Sequence, residues 1–196
     1  MPLNQLDLSP VLALTRPDFY KLCQHNPDLK LERTANGELI VMAPTGGETG
    51  TWNADLTAQV AMWNRATQLG KTFDSSTGFA LPLGSDRSPD VAWISLDKWQ
   101  ALTPEQRKGF LPLCPDFVIE LLSPSDSWNA GTQKMTEYMD NGCRLGWLID
   151  PQSQRVAIYR SGQTREILYR PQTLSGEDVL VGFCADLGFI WQETQG

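Results

Sequence analysis

Pro115-Asp116-Phe117-Val118-Ile119-Glu120-Leu121-Leu122 sets one carboxylate, Glu120, inside a run of large apolar side chains. The run is short, rich in β-branched and aromatic residues, and bounded by Pro115 on one side and Ser123-Pro124-Ser125-Asp126 on the other, which reads as a strand buried on both faces. Alternation sends Phe117, Ile119 and Leu121 to one face and Val118, Glu120 and Leu122 to the other. An unpaired ionised carboxylate in such a place costs several kcal/mol, so Glu120 needs compensation. Two sources are open: a divalent cation shared with a second acid, or a core ion pair with an arginine such as Arg144.

A second acid stands at the head of another apolar segment, Ser88-Pro89-Asp90-Val91-Ala92-Trp93-Ile94-Ser95. Asp90 shares its face with Ala92 and Ile94, so it too is a lone acid among apolar neighbours. If the two strands are neighbours the acids converge, and hard oxygen donors of this kind suit Mg²⁺ or Mn²⁺. Asp116 also follows a proline, and there ordinary turn chemistry is the better reading. Downstream, Lys134, Glu137 and Tyr138 fall at i, i+3 and i+4 of a helix expected over 128–141, with Trp128, Met135, Tyr138 and Met139 on its packed face. An ammonium at Lys134 is thus a candidate for stabilising negative charge that builds on a phosphate.

The remaining elements follow from local signals. Thr15 caps a short helix carrying Phe19, Leu22 and Cys23 on one face, and residues 1–15 before it read as an arm. Leu29–Arg33 and Glu38–Met42 flank Asn36-Gly37 as a hairpin. A helix is expected over 50–68, stopping at Gly70; strands Thr77–Leu83 and Asp90–Ser95 are expected to form a second hairpin; and 97–108 reads as helical. Leu145–Asp150, Val156–Arg160 and short strands between Ile167 and Trp191 complete the chain. The order predicts an α/β (α+β) fold, a mixed sheet with helices on its faces, in one domain spanning 1–196.

Bulk properties narrow the function. With 196 residues, 41% hydrophobic and 20% charged, the chain has the composition of a globular domain. A net charge of −7 argues against a broad basic face for duplex nucleic acid and leaves room for a local groove. The four cysteines form no C-x-x-C pair and read as free thiols of a reducing compartment. No secretory leader and no apolar run long enough to span a membrane is present, so a cytoplasmic protein is expected. His25, the single histidine, gives little support to a histidine-based site, and no Gly-Lys-Ser/Thr follows Gly46-Gly47 to make a phosphate loop. The seven tryptophans fall at core spacing rather than as base-stacking platforms.

An acid after proline (Asp90), an acid in an apolar strand some thirty residues later (Glu120), Lys134-Met-Thr-Glu-Tyr-Met-Asp-Asn-Gly142, and Trp147-Leu-Ile-Asp-Pro151 together resemble the Uma-type restriction endonuclease family of the PD-(D/E)XK nuclease superfamily. Gly37-Glu-Leu-Ile-Val-Met-Ala-Pro44 adds to the resemblance, which runs from about Leu31 to about Ile190. It implies a restriction-endonuclease-like core and Mg²⁺-dependent hydrolysis of DNA phosphodiesters, with Mn²⁺ as a substitute. Asp90 and Glu120 match the two metal-binding acids, the backbone carbonyl of Leu121 a third ligand, and Glu48 the helix-borne acid that some members add. Leu122 stands where the pattern expects lysine, and Lys134 takes that role from the following helix. A homodimer acting on two strands, holding DNA weakly in a local groove, follows by analogy. The alternative is a catalytically inactive nuclease fold that serves as a binding or interaction module, favoured by Leu122 and the acidic charge.

Overall fold

The computed structural model of the protein describes residues 4–6 and 14–193, with side chains over 14–192. Most of the arm expected over 1–15 lies outside the described residues, but Asn4–Leu6 (β1) is a strand. Thr15 accepts a hydrogen bond from the Asp18 N–H and opens the helix Arg16–His25 (α1), as expected of an N-cap followed by proline in the first turn. Lys30–Arg33 (β2) and Leu39–Met42 (β3) form the expected hairpin, with Gly37 at φ +88° in its turn. The long helix spans Gly47–Thr67 (α2). Its C-cap is Gln68, in the left-handed conformation, rather than Gly70.

Gly70 instead opens Gly70–Asp74 (β4), a strand the sequence pattern did not reveal because its residues show no apolar alternation. A Cβ on Gly70 would lie 2.0 Å from the Ile94 carbonyl oxygen, so only glycine permits this approach. The expected hairpin between 77–83 and 90–95 does not form. Phe79–Ala80 (β5) and Asp86–Arg87 (β6) pair with each other, while Val91–Ser95 (β7) takes β4 as its partner. The physical reason is a tight turn between Leu81 and Ser85 and the burial of Asp86, whose carboxylate is held by Arg33 and Arg16 and so ties β6 to β2. The helix expected over 97–108 is likewise divided. Leu96–Ala101 (α3) ends at Leu102, and Gln106–Lys108 is a single 3₁₀ turn beyond Pro104.

The second half matches its expectations more closely: Phe117–Leu121 (β8), Trp128–Asp140 (α4), Leu145–Asp150 (β9), Arg155–Arg160 (β10), Glu166–Tyr169 (β11), Thr173–Ser175 (β12) and Cys184–Asp186 (β13); the tail, expected as short strands up to Trp191, instead ends in a helix, Gly188–Glu193 (α5). One sheet has the order β11-β10-β9-β8-β7-β4, a second β1-β3-β2-β6-β5, and β12 pairs with β13. Within the six-stranded sheet β8 and β9 are parallel and the other neighbours antiparallel. Parallel neighbours need a crossover, and α4 supplies it, which lays this helix across one face of β8.

Both faces of β8 are covered, as its composition predicted. Phe117, Ile119 and Leu121 pack with Trp52, Leu56 and Val60 of α2 and with Phe183 and Ile190 from the C-terminal segment. Val118 packs on the opposite face with Ala92, Leu148, Met135 and Tyr138 beneath α4. Each such side chain fully removed from water contributes about 1.5–3 kcal/mol, so β8 is fixed in register by both layers. The result is a mixed sheet flanked by helices, the α+β class expected. Trp52, Trp93, Trp147 and Trp191 are buried, in line with a packing role, and all four cysteines are free thiols. Among the described residues no helix is long and apolar enough to cross a membrane.

Candidate functional site

Asp90 and Glu120 meet because β7 and β8 are adjacent and antiparallel. The register Val91↔Ile119, Ala92↔Val118 and Trp93↔Phe117, continued by one step, sets Asp90 opposite Glu120. Asp90 Oδ2 accepts a hydrogen bond of 2.9 Å from the Leu121 N–H, which extends the pairing past the end of β7. Asp90 Oδ1 accepts from Asn53 Nδ2 of α2 at 3.2 Å and lies 3.7 Å from Nζ of Lys30.

Glu120 faces α4. Gly131 lets the helix sit close to the sheet, since a Cβ there would meet the Leu148 and Leu122 side chains at 2.9 and 3.1 Å. One turn further on, Lys134 Nζ reaches Glu120 Oε1 at 2.9 Å and Oε2 at 3.0 Å. The Tyr138 hydroxyl donates to Glu120 Oε1 at 2.8 Å. Arg144, raised above as a partner for Glu120, is instead paired with Asp178 at the surface at 3.2 Å. Leu122 fills the space beneath Gly131, so helix docking occupies the position where a lysine was expected.

The sequence reading missed the other half of this network. Glu32 of β2 is buried and accepts from Lys134 Nζ at 2.8 Å, from the Ser88 N–H at 2.9 Å and from Arg87 at 3.1 Å. Arg87 also binds Glu137 at 2.6 Å. Lys134 is therefore held between two carboxylates on different sheets. The signal for Glu32 is the same as for Glu120, an acid within a strand, but here it is flanked by Lys30 and Arg33 rather than by an unbroken apolar run.

Burial favours the neutral acid for both glutamates, and their surroundings then separate them. Lys134, Arg87 and the Ser88 N–H overcome burial at Glu32 and hold its carboxyl well below the usual range. At Glu120, burial and the nearby Asp90 and Glu32 carboxylates outweigh Lys134 and push the pKa up to about 7. Burial works against the charged form of Lys134, but Glu120 and Glu32 more than offset it and keep the ammonium protonated. Burial and the Glu120 carboxylate drive the Tyr138 phenol well above its ordinary value, so it keeps its proton and donates a hydrogen bond to Glu120.

The remaining expected residues divide. The Leu121 N–H points at Asp90, and in a strand the C=O of a residue projects to the same edge as its N–H, so the Leu121 carbonyl faces the same side. Glu48 is exposed in the first turn of α2, and among the described residues nothing ties its carboxylate to Asp90 or Glu120. From α2 it is Asn53 that reaches Asp90. Asp116 accepts from the Ser95 N–H at 2.8 Å and pairs with Lys98 at 2.9 Å, a structural role as expected.

Among the described residues no group of three or more His, Cys, Asp or Glu side chains is arranged to hold a metal ion. A divalent cation would rest on two carboxylates and neutral oxygens. Asn53 Oδ1 is consistent with that donor set: it is buried beside Asp90 and has no hydrogen-bond partner, an orphan acceptor suited to a water of a hydrated cation. The cleft lined by Tyr20, Cys23, Arg107 and Phe110 shares no residue with this cluster.

The family model for Uma2, described as "Putative restriction endonuclease", matches residues 16–188 of this chain. No curated protein matches it. Among solved structures, one from Anabaena variabilis described as a "putative nuclease belonging to DUF820" superposes with a TM-score of 0.70 at 19% identity, covering 82% of this chain and 89% of that one.

Proposed function

This chain belongs to the Uma2 restriction endonuclease family, and from that premise we propose that it is a divalent-metal-dependent nuclease that hydrolyses DNA phosphodiester bonds. The observation that carries the reading is Asp90 set opposite Glu120 with the Lys134 ammonium on Glu120. Asp90, Glu120 and the Leu121 carbonyl are the proposed ligands of Mg²⁺, with Mn²⁺ as a substitute; Glu48 gains no support from its position. The bound cation supplies an electrophile for a phosphate oxygen and lowers the pKa of an attacking water.

The protein's own groups do the rest. Asp90 is fixed by the Leu121 N–H and Asn53, so its carboxylate is oriented before any ligand arrives. Tyr138 fixes Glu120 in the same way. Lys134 stands ready to neutralise charge on the phosphate as the water oxygen bonds to phosphorus, giving up its proton to solvent, and the phosphorus–ester oxygen bond breaks, the leaving oxygen taking a proton from solvent. Glu32 is a positioning residue: it retains Lys134 at the site when Glu120 turns to a cation. DNA binding is expected to be weak and confined to a local groove, since the chain carries −7. Cutting both strands needs two sites, which a homodimer provides.

One observation favours the alternative, an inactive fold used for binding. Both Glu120 oxygens already have partners, so the ion pair is complete without a cation. The deciding experiment incubates supercoiled, linear and single-stranded DNA with the protein in Mg²⁺, in Mn²⁺ and in chelator, beside Asp90→Asn. Metal-dependent cutting that Asp90→Asn abolishes supports the nuclease. No cutting, together with no Mn²⁺ binding by calorimetry, supports the inactive fold.

A further inference from the structure

Strand β2 sends two opposite charges into the same place. Lys30 and Glu32 are two residues apart and leave one face of the strand. The pairs they make are crossed: the lysine of β2 lies on the first acid of the site, Asp90, and the glutamate of β2 lies on the lysine of α4, Lys134. The two lysines are held very differently. Lys134 contacts three carboxylate oxygens at 2.8–3.0 Å and its side chain is 15% exposed. Lys30 sits 3.7 Å from one oxygen, beyond hydrogen-bond range, and its side chain is 32% exposed. Among the described residues its one ion pair is this contact.

We propose that Lys30 is a phosphate-binding residue of the site, resting on Asp90 in the ligand-free protein and transferring to a DNA phosphate when Asp90 is engaged by a cation. The proposal rests on the nuclease reading above. An ammonium near a carboxylate is attracted to it, and a divalent ion placed on the same carboxylate reverses the sign of that interaction. The ammonium must then leave, and its flexible stem, anchored in β2, keeps it at the rim of the site. A phosphodiester is the anion that arrives there. In a chain with net charge −7, a local cation released at the moment of metal entry also makes DNA binding depend on the metal.

The test compares wild type, Lys30→Gln, Lys30→Arg and Asp90→Asn, with two readouts that do not need turnover. Mn²⁺ affinity is measured by calorimetry, and binding of a labelled duplex is measured by anisotropy in Ca²⁺ across a salt series. Lys30→Gln is expected to bind Mn²⁺ about threefold more tightly or better, since a competing ammonium is gone. It is expected to bind duplex about tenfold more weakly, with the log–log salt slope reduced by about one, the signature of one lost phosphate contact. Lys30→Arg should keep the wild-type slope. A Lys30→Gln slope equal to wild type, while Asp90→Asn still weakens Mn²⁺ binding at least tenfold, overturns the Lys30 assignment and leaves the nuclease reading standing. Wild type that binds neither Mn²⁺ nor duplex overturns both.

Discussion

Asp90 holds the backbone N–H of the residue next to Glu120, so the two carboxylates are joined through the Leu121 amide across neighbouring strands. That link makes Asp90 a structural acceptor as well as a candidate ligand. Asp90→Asn retains an acceptor oxygen for Leu121 and removes the charge. The fold should survive with a melting temperature near wild type, while Mn²⁺ affinity drops at least tenfold and cleavage falls by roughly 10²–10³. Calorimetry and a plasmid assay check both, and Mn²⁺ binding unchanged from wild type would remove Asp90 from the metal site.

Lys134→Ala separates rate from binding. Its ammonium is repelled by a cation in the ground state, so its loss should not weaken Mn²⁺ binding, whereas cleavage at saturating metal should fall by roughly 10²–10³. The substitution also leaves Glu32 and Glu120 facing each other without their shared cation, so a stability loss of about 3 kcal/mol is expected. Lys134→Arg tests whether charge alone suffices. Full activity in Lys134→Ala would dismiss the lysine from the chemistry.

Glu120 gives a pH dependence whose sign is fixed. Its pKa is raised from 4.5 to about 7 in the folded protein, so the folded state binds a proton more tightly than the unfolded state. Stability from this group is therefore greatest below the unfolded value and is lost as pH rises from about 4.5 to about 7. Glu120→Gln, which mimics the protonated acid, should flatten the urea-midpoint profile in that window, by up to about 3 kcal/mol. A Glu120→Gln protein that melts at all pH values would mean that the ionised pair with Lys134 is what holds α4 down.

Glu32 runs the other way. Burial raises its pKa, but Lys134 and Arg87 dominate and hold it well below 4.5, so its contribution is present above that pH and is lost as pH falls below it. Glu32→Gln strips a partner from both cations and should cost about 3 kcal/mol at neutral pH. The difference from wild type should narrow in acid. An acid-independent difference would point to lost packing rather than lost charge.

Gly70→Ala tests the topology. With the Ile94 carbonyl oxygen 2.0 Å from the added carbon, β4 must move away from β7. A loss of about 3 kcal/mol is expected, measured by chemical denaturation. A neutral effect would mean that the β4–β7 pairing tolerates a shift.

Local pattern carried much of the fold. The apolar run at 117–121, the Thr15 cap, the Asn36-Gly37 turn and the helical spacing of Met135, Tyr138 and Met139 each act within a few residues, and each produced the expected element. Alternation in β8 also told which face Glu120 takes. Helical spacing put Lys134 forward as a cationic candidate, and its Nζ lies 2.9 Å from Glu120 Oε1. What the chain alone did not disclose were relations between distant segments: β7 pairing with β4 rather than with 77–83, Asp86 tying β6 to the other sheet, and Glu32 sharing Lys134 with Glu120. A strand pattern names the faces of a segment but not its neighbour, because backbone pairing is nearly blind to sequence and the choice is made by tertiary packing and by where buried charges find partners. For that reason Asp90 and Glu120 were readable as isolated acids, while the charges that surround them, Lys30, Glu32 and Arg87, were decided by the fold.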